Sequence, residues 1–145
     1  MSNLRIKLKK DMYLDLEIND RITVIEGNSA SGKTFFVDTI DMIVKLNLKD
    51  NVPSVITPDK FVVVKNEDSA LRVKEAVNKI IILDRYDMYS KKTKKMIHKK
   101  MKEQNNTWIF ISRFPDMPVY GSATIKHLKC REENGKKILY LARPY

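Results

Sequence analysis

The 145-residue sequence holds one cysteine, Cys130, and two histidines, His98 and His127. So few excludes a disulfide framework and a Cys/His zinc centre. None of the three has a neighbour at metal-ligand or triad spacing, so all read as structural. Glycine is scarce as well, at four residues, and no Gly/Pro/Ser linker, low-complexity tract or internal repeat divides the chain. The longest aliphatic run, Ile80-Ile81-Ile82-Leu83, falls far short of the ~20 residues a membrane span needs. The opening residues Met1 to Arg5 pass directly into an alternating pattern without the apolar core of a signal peptide. These absences lead us to expect one domain over residues 1–145, in a reducing, cytoplasmic setting.

Charge is abundant and one-sided. The net charge is +10, and seven lysines lie between Lys91 and Lys102; without them the balance falls to +3. Basicity gathered in one segment points to an acidic partner or surface without naming it.

Two stretches alternate with period two, Leu4-Ile6-Leu8 and Met12-Leu14-Leu16-Ile18, which predicts a β-hairpin. Asn19-Asp20 marks a turn, and Arg21 to Glu26 reads as a β-branched strand. Phe36, Ile40, Ile43 and Val44 recur at helical spacing, predicting a helix from about Lys33 to Leu46. Asn47 to Lys60 is turn-rich with room for a short strand at Val55-Ile56. A buried strand follows at Phe61 to Val64. Asp68 or Ser69 can cap a helix using Leu71, Val73, Ala76 and Val77. Ile80 to Asp84 is the next strand, then a lysine-rich helix from about Lys91 to Gln104, and a strand at Trp108 to Ser112. Asp116-Met117-Pro118 reads as a loop. Ala123 to Cys130 and Ile138 to Leu141, around a turn at Glu133-Asn134-Gly135, form a closing hairpin. The expected fold class is α/β: a mainly parallel sheet flanked by helices on both faces, with N-terminal and C-terminal β-hairpins.

The segment Gly27-Asn28-Ser29-Ala30-Ser31-Gly32-Lys33-Thr34 matches GxxxxGK[ST], the Walker A or P-loop pattern, between a strand and a helix. Gly27 and Gly32 permit the sharp turn and the close approach of backbone to phosphate. Amides from Asn28 to Gly32 can form an anion nest, and the helix N-terminus adds its partial positive charge. Lys33 can reach the β- and γ-phosphates, and the Thr34 hydroxyl can ligate Mg²⁺. Ile80-Ile81-Ile82-Leu83-Asp84 has the Walker B form, which brings Asp84 to the carboxyl edge of the sheet as a metal ligand.

With both motifs present, Arg21 to Arg113 resembles the P-loop NTPases, in particular the group with an additional strand between Walker A and Walker B, supplied here by Phe61 to Val64. The flanking hairpins look like a miniature ABC- or SMC/RecF-type ATPase head. The resemblance implies a P-loop fold, ATP and Mg²⁺ as ligands, and ATPase activity. It also has gaps. Arg85 stands where the catalytic glutamate of such heads follows the aspartate, and Arg113 where their switch histidine stands. A signature motif and a Q-loop glutamine are missing, since Gln104 ends the basic helix. Hydrolysis is therefore expected to be slow, or to use Asp87, Glu67 or a partner's residue as a substitute base. Arg85 and Arg113 are candidate γ-phosphate contacts. No guanine-reading motif occurs, because Asn78-Lys79 continues into Ile80-Ile81, so ATP is favoured by default. A small-molecule kinase remains an alternative, although no arginine-rich lid is present.

On a helical wheel Lys91, Lys95, His98, Lys99 and Lys102 share one face, opposite Tyr89, Met96, Ile97 and Met101, with Lys100 intruding. This pattern fits a solvated face, a surface for DNA or RNA phosphates, or a membrane-surface contact. The nucleic-acid reading gives a second functional class, in which nucleotide acts as a switch or the loop is vestigial. A protein partner or second copy completing the site is also open.

Overall fold

The computed structural model describes residues 3–17, 19–26, 32–103, 105–112 and 123–143. Eight strands form one mixed sheet. They are β1 (Asn3–Lys9), β2 (Met12–Glu17), β3 (Ile22–Glu26), β4 (Phe61–Val64), β5 (Ile80–Leu83), β6 (Thr107–Ser112), β7 (Thr124–Glu133) and β8 (Lys136–Ala142). Two α-helices, α1 (Lys33–Lys45) and α2 (Lys91–Glu103), accompany them. The sheet order is β1-β2-β8-β7-β3-β6-β5-β4. From β7 to β4 every neighbouring pair is parallel. The two predicted hairpins, β1/β2 and β7/β8, lie side by side through a parallel β2/β8 pairing and form one wing.

The short apolar strands are explained by burial on both faces of the parallel half. Phe61, Val63, Ile80, Ile82, Ile109 and Ile111 face α1, whose buried stripe is Phe36, Val37, Ile40 and Ile43. Alternate residues Val64, Ile81, Leu83, Trp108 and Phe110 face α2 and the segment Glu67–Glu75. The wing differs. Leu4, Ile6, Leu8, Leu14, Leu16, Leu128, Leu139 and Leu141 continue the α1-side core, whereas its other face carries Arg5, Asp15 and Arg131. Helices and the 3₁₀ segment therefore cover both faces of the parallel part, as its apolar runs lead one to expect, while the wing is covered on one face.

Helix α1 begins after Gly32, which takes φ +89°, a conformation costly for any residue with a Cβ. It ends in a Schellman arrangement: Asn47 is left-handed at φ 51°, its amide reaches the Val44 carbonyl, and the Leu48 amide reaches Ile43.

Three local expectations change. Val55 and Ile56 form no strand; the Ile56 amide closes a turn on Pro53 and Val55 is exposed. The expected helix after Asp68 is a 3₁₀ segment, Glu67–Glu75, capped by the Asn66 side chain accepting the Asp68 amide. Its three-residue turn puts Ala70, Val73 and Ala76 on one buried ridge and leaves Leu71 and Val77 exposed. Strand β5 stops at Leu83, and Asp84 opens the following turn. Ile18, Gln104 and the Asp116-Met117-Pro118 loop lie outside the described residues. No helix among the described residues is long and apolar enough to cross a membrane.

Candidate functional site

Strands β3, β5 and β6 are parallel, so their carboxyl ends open on the same edge of the sheet. A pocket of about 270 Å³ lies there, lined by Lys33, Thr34, Asp84, Arg85, Asp87, Met88, Ile111 and Ser112. Three chain segments meet in it: the start of α1 after β3, the turn after β5, and the end of β6. Open α/β sheets bind ligands at this edge.

Lys33 and Thr34 are the first two residues of α1. Lys33 is 7% exposed, while Thr34 is exposed. Gly32 caps the helix through backbone alone: its carbonyl accepts the Phe36 amide at 3.1 Å, no side chain caps the end, and the first turn holds no acid. Amides at such an end lack intrahelical acceptors, and the end attracts negative charge.

Asp84 is fixed by its backbone. Its amide donates to the Val64 carbonyl at 2.8 Å, and its carbonyl accepts the Tyr89 hydroxyl at 2.7 Å. Burial pushes its carboxyl above the usual carboxylate range and the Asp38 charge adds to this, while the Arg85 amide and the charges of Arg85 and Lys33 oppose it. The next residue, Arg85, sits at φ 54°, a left-handed conformation a non-glycine residue adopts only at a cost. That bend leads into the single turn Tyr86–Met88, which lines the pocket with Asp87 and with Met88, 74% exposed.

Tyr86 and Tyr89 are the anchors the sequence reading missed. Tyr86 is fully buried, shares a 2.9 Å hydrogen bond with His98 Nε2 and packs edge-on against Phe110 at 4.8 Å. Tyr89 was expected on the apolar face of α2; it lies ahead of that helix, extended and buried, with its hydroxyl pushed to a higher pKa by burial. His98 is likewise turned inward to Tyr86 rather than outward with the lysines. Burial and the charges of Lys102 and Lys94 lower its pKa. The two tyrosines, three residues apart just after Asp84, are visible in the sequence as an aromatic pair, but the partners that bury them are not.

No protein-family model matches the chain, and no curated protein matches it in sequence. The site therefore rests on its own geometry.

The pocket brings together Lys33, Thr34, Asp84, Arg85 and Asp87. Glu67, a suggested substitute base, is committed elsewhere. Its carboxylate accepts the Ser90 amide and the hydroxyls of Ser90 and Thr93 at the start of α2, which hold its pKa down. Gly27, Asn28, Ser29, Ala30, Ser31 and Arg113 lie outside the described residues. Met88, Ile111 and Ser112 join the wall although sequence reasoning gave them no role. At the end of β3, Glu26 pairs with His127 Nε2 at 2.9 Å across to β7, so His127 has a polar partner after all.

Proposed function

We propose that the chain is a Mg²⁺-dependent ATP-binding protein of the P-loop NTPase type, with slow or partner-triggered hydrolysis. The observation that carries this reading is the meeting of Lys33, Thr34 and Asp84 in one pocket. They come from two Walker-like segments fifty residues apart in sequence. The sheet order supports it: β3 and β5, the strands leading into the two motifs, flank β6, and β4, which intervenes in sequence, is displaced to the edge.

The donors suit the ligand. Lys33 is a buried cation beside a helix start that no side chain caps, so phosphate would gain charge-assisted hydrogen bonds there. A hydroxyl and a carboxylate are hard oxygen donors of the kind Mg²⁺ takes, with water and phosphate oxygens completing its shell. Bound Mg²⁺ would neutralise phosphate charge and fix the triphosphate's orientation. Arg85 would hold the terminal phosphate, and metal-assisted binding would weaken as pH falls through the pKa of Asp84, which burial raises above the usual carboxylate range. With Arg85 after Asp84 and Glu67 engaged at α2, Asp87 is the carboxylate that lines the pocket beside Asp84 among the described residues, and it would position a water. Slow turnover follows.

Titration calorimetry tests this reading. Lys33→Ala is expected to weaken Mg-ATP binding about ten- to a hundredfold, since a charge-assisted hydrogen bond contributes ~1.5–3 kcal/mol. Thr34→Ala is expected to abolish the difference between titrations with Mg²⁺ and with EDTA. Arg85→Ala is expected to weaken ATP more than ADP. Unchanged affinity in Lys33→Ala contradicts the proposal.

A further inference from the structure

The lysine-rich helix takes no part in the nucleotide pocket, yet it holds the largest concentration of charge in the chain. Its burial pattern divides the lysines into two groups. Lys94 lies half-buried with its ammonium 5.4 Å from the Tyr86 ring centre, and buried Lys100 donates to the Lys74 carbonyl. Lys91, Lys92, Lys95, Lys99 and Lys102 are exposed. No salt bridge engages Lys91, Lys92, Lys95 or Lys99 among the described residues. The acids nearest in the chain are Asp87, which lines the pocket ahead of α2, and Glu103 in its last turn, while Glu67 is held against the start of the helix by Ser90 and Thr93. The packed 3₁₀ segment carries Glu67, Asp68 and Glu75 against Arg72 and Lys74, a net charge of −1 that leaves the lysine face in large excess.

We propose that the outer face of α2 is a docking surface for double-stranded nucleic acid, gripped through its phosphate backbone without base reading. Lys91, Lys95 and Lys99 stand one turn apart and span about 12 Å along the helix, a length over which a duplex presents about seven phosphates. A face of lysines with no Asn, Gln or Arg at base-reading positions supplies affinity without sequence preference. Two other polyanions fit less well. Single strands call for exposed aromatic platforms, and both aromatics leading into α2, Tyr86 and Tyr89, are buried. An interfacial membrane helix needs a free apolar side, whereas Ile97 and Met101 of α2 are 0% and 1% exposed in the core. The lone exposed Met88 before the helix is not an insertion face.

The inference stands independently of nucleotide binding and is tested without nucleotide. Fluorescence anisotropy of the full chain with a labelled 30-base-pair random duplex, read from about 50 to 200 mM salt, gives the slope of log K against log salt. Changing Lys91, Lys95 and Lys99 together to glutamine should flatten that slope by about 2.7, at ~0.9 per lost phosphate contact. Affinity should fall at least tenfold, with the melting temperature unchanged because these side chains are exposed. A control carrying Lys10→Gln and Lys49→Gln, on the wing and after α1, should bind as wild type does. An unchanged slope in the triple variant, or an equal loss in the control, overturns the proposal. So does tighter binding to a 30-nucleotide single strand, or binding to phosphatidylserine vesicles with none to the duplex.

Discussion

Two aspartates at opposite ends of the sheet show how differently its two halves are built. Asp15, on the open face of the wing, is 8% exposed and held by three guanidinium hydrogen bonds, from Arg5 Nε and Nη2 at 2.7 and 2.8 Å and from Arg131 Nη2 at 3.1 Å. Its pKa is lowered by the bonds to Arg5, and by Arg131 as well. The Arg131 guanidinium also lies 4.9 Å from the Tyr140 ring centre, so one charged cluster joins β1, β2, β7 and β8. Asp84, in the parallel half, is partly buried, forms no salt bridge among the described residues, and has its pKa raised by that burial. The wing uses a carboxylate to hold strands together. The parallel half is held by apolar packing and keeps a carboxylate in a less favourable, partly buried state at the pocket, which under the proposed function would be a trade of stability for binding.

The contrast can be broken first in the apolar half. Phe110 is fully buried between the Tyr86 and Trp108 rings, and Phe110→Ala is expected to cost about 3–5 kcal/mol in urea unfolding. A loss under about 1 kcal/mol would show that the parallel half does not depend on this packing. Asp15→Asn is expected to cost less, about 1–3 kcal/mol, because both arginines remain partly exposed and can regain water. Here the sign is set by a lowered pKa. The stabilisation is complete above the unfolded value near 3.8 and is lost as pH falls through the lower folded value, so wild type and variant converge in strong acid. The smallest effect, of opposite sign, belongs to Asp84→Asn without metal or nucleotide. Because the folded pKa of Asp84 is raised, its ionisation destabilises the fold as pH rises from 3.8 through the folded value. The variant should melt slightly higher than wild type at neutral pH and equally in strong acid. Melting curves across pH that move together for Asp15→Asn and Asp84→Asn would erase the distinction.

Much of the parallel half was legible because its signals are local. Four consecutive aliphatics followed by an acid, and a helical stripe at Phe36, Ile40 and Ile43, announce a buried strand and its covering helix without knowledge of their partners. Joining the two hairpins was not legible, since alternation in Leu4-Ile6-Leu8 and in the closing strands says which face is buried but not which strand lies alongside. The 3₁₀ segment was misassigned because a three-residue period at Ala70, Val73 and Ala76 is easily taken for a helical one when Leu71 and Val77 are counted with it. At the site, Lys33, Thr34 and Asp84 could be read from motif spacing. The roles of Tyr86, Tyr89 and His98 depend on packing between the turn, β6 and α2, which no single stretch of sequence encodes. Glu67 shows the reverse: a carboxylate shortly after β4, drawn away by hydroxyls twenty-three and twenty-six residues later.

A crystal structure of the chain with Mg²⁺ and a slowly hydrolysed ATP analogue tests the central claim most directly. The account predicts phosphate density beside Lys33 and the first amides of α1, with a metal held between Thr34 and Asp84 and the terminal phosphate facing Arg85. Nucleotide bound away from these residues, or a pocket left empty at saturating ligand, would contradict it.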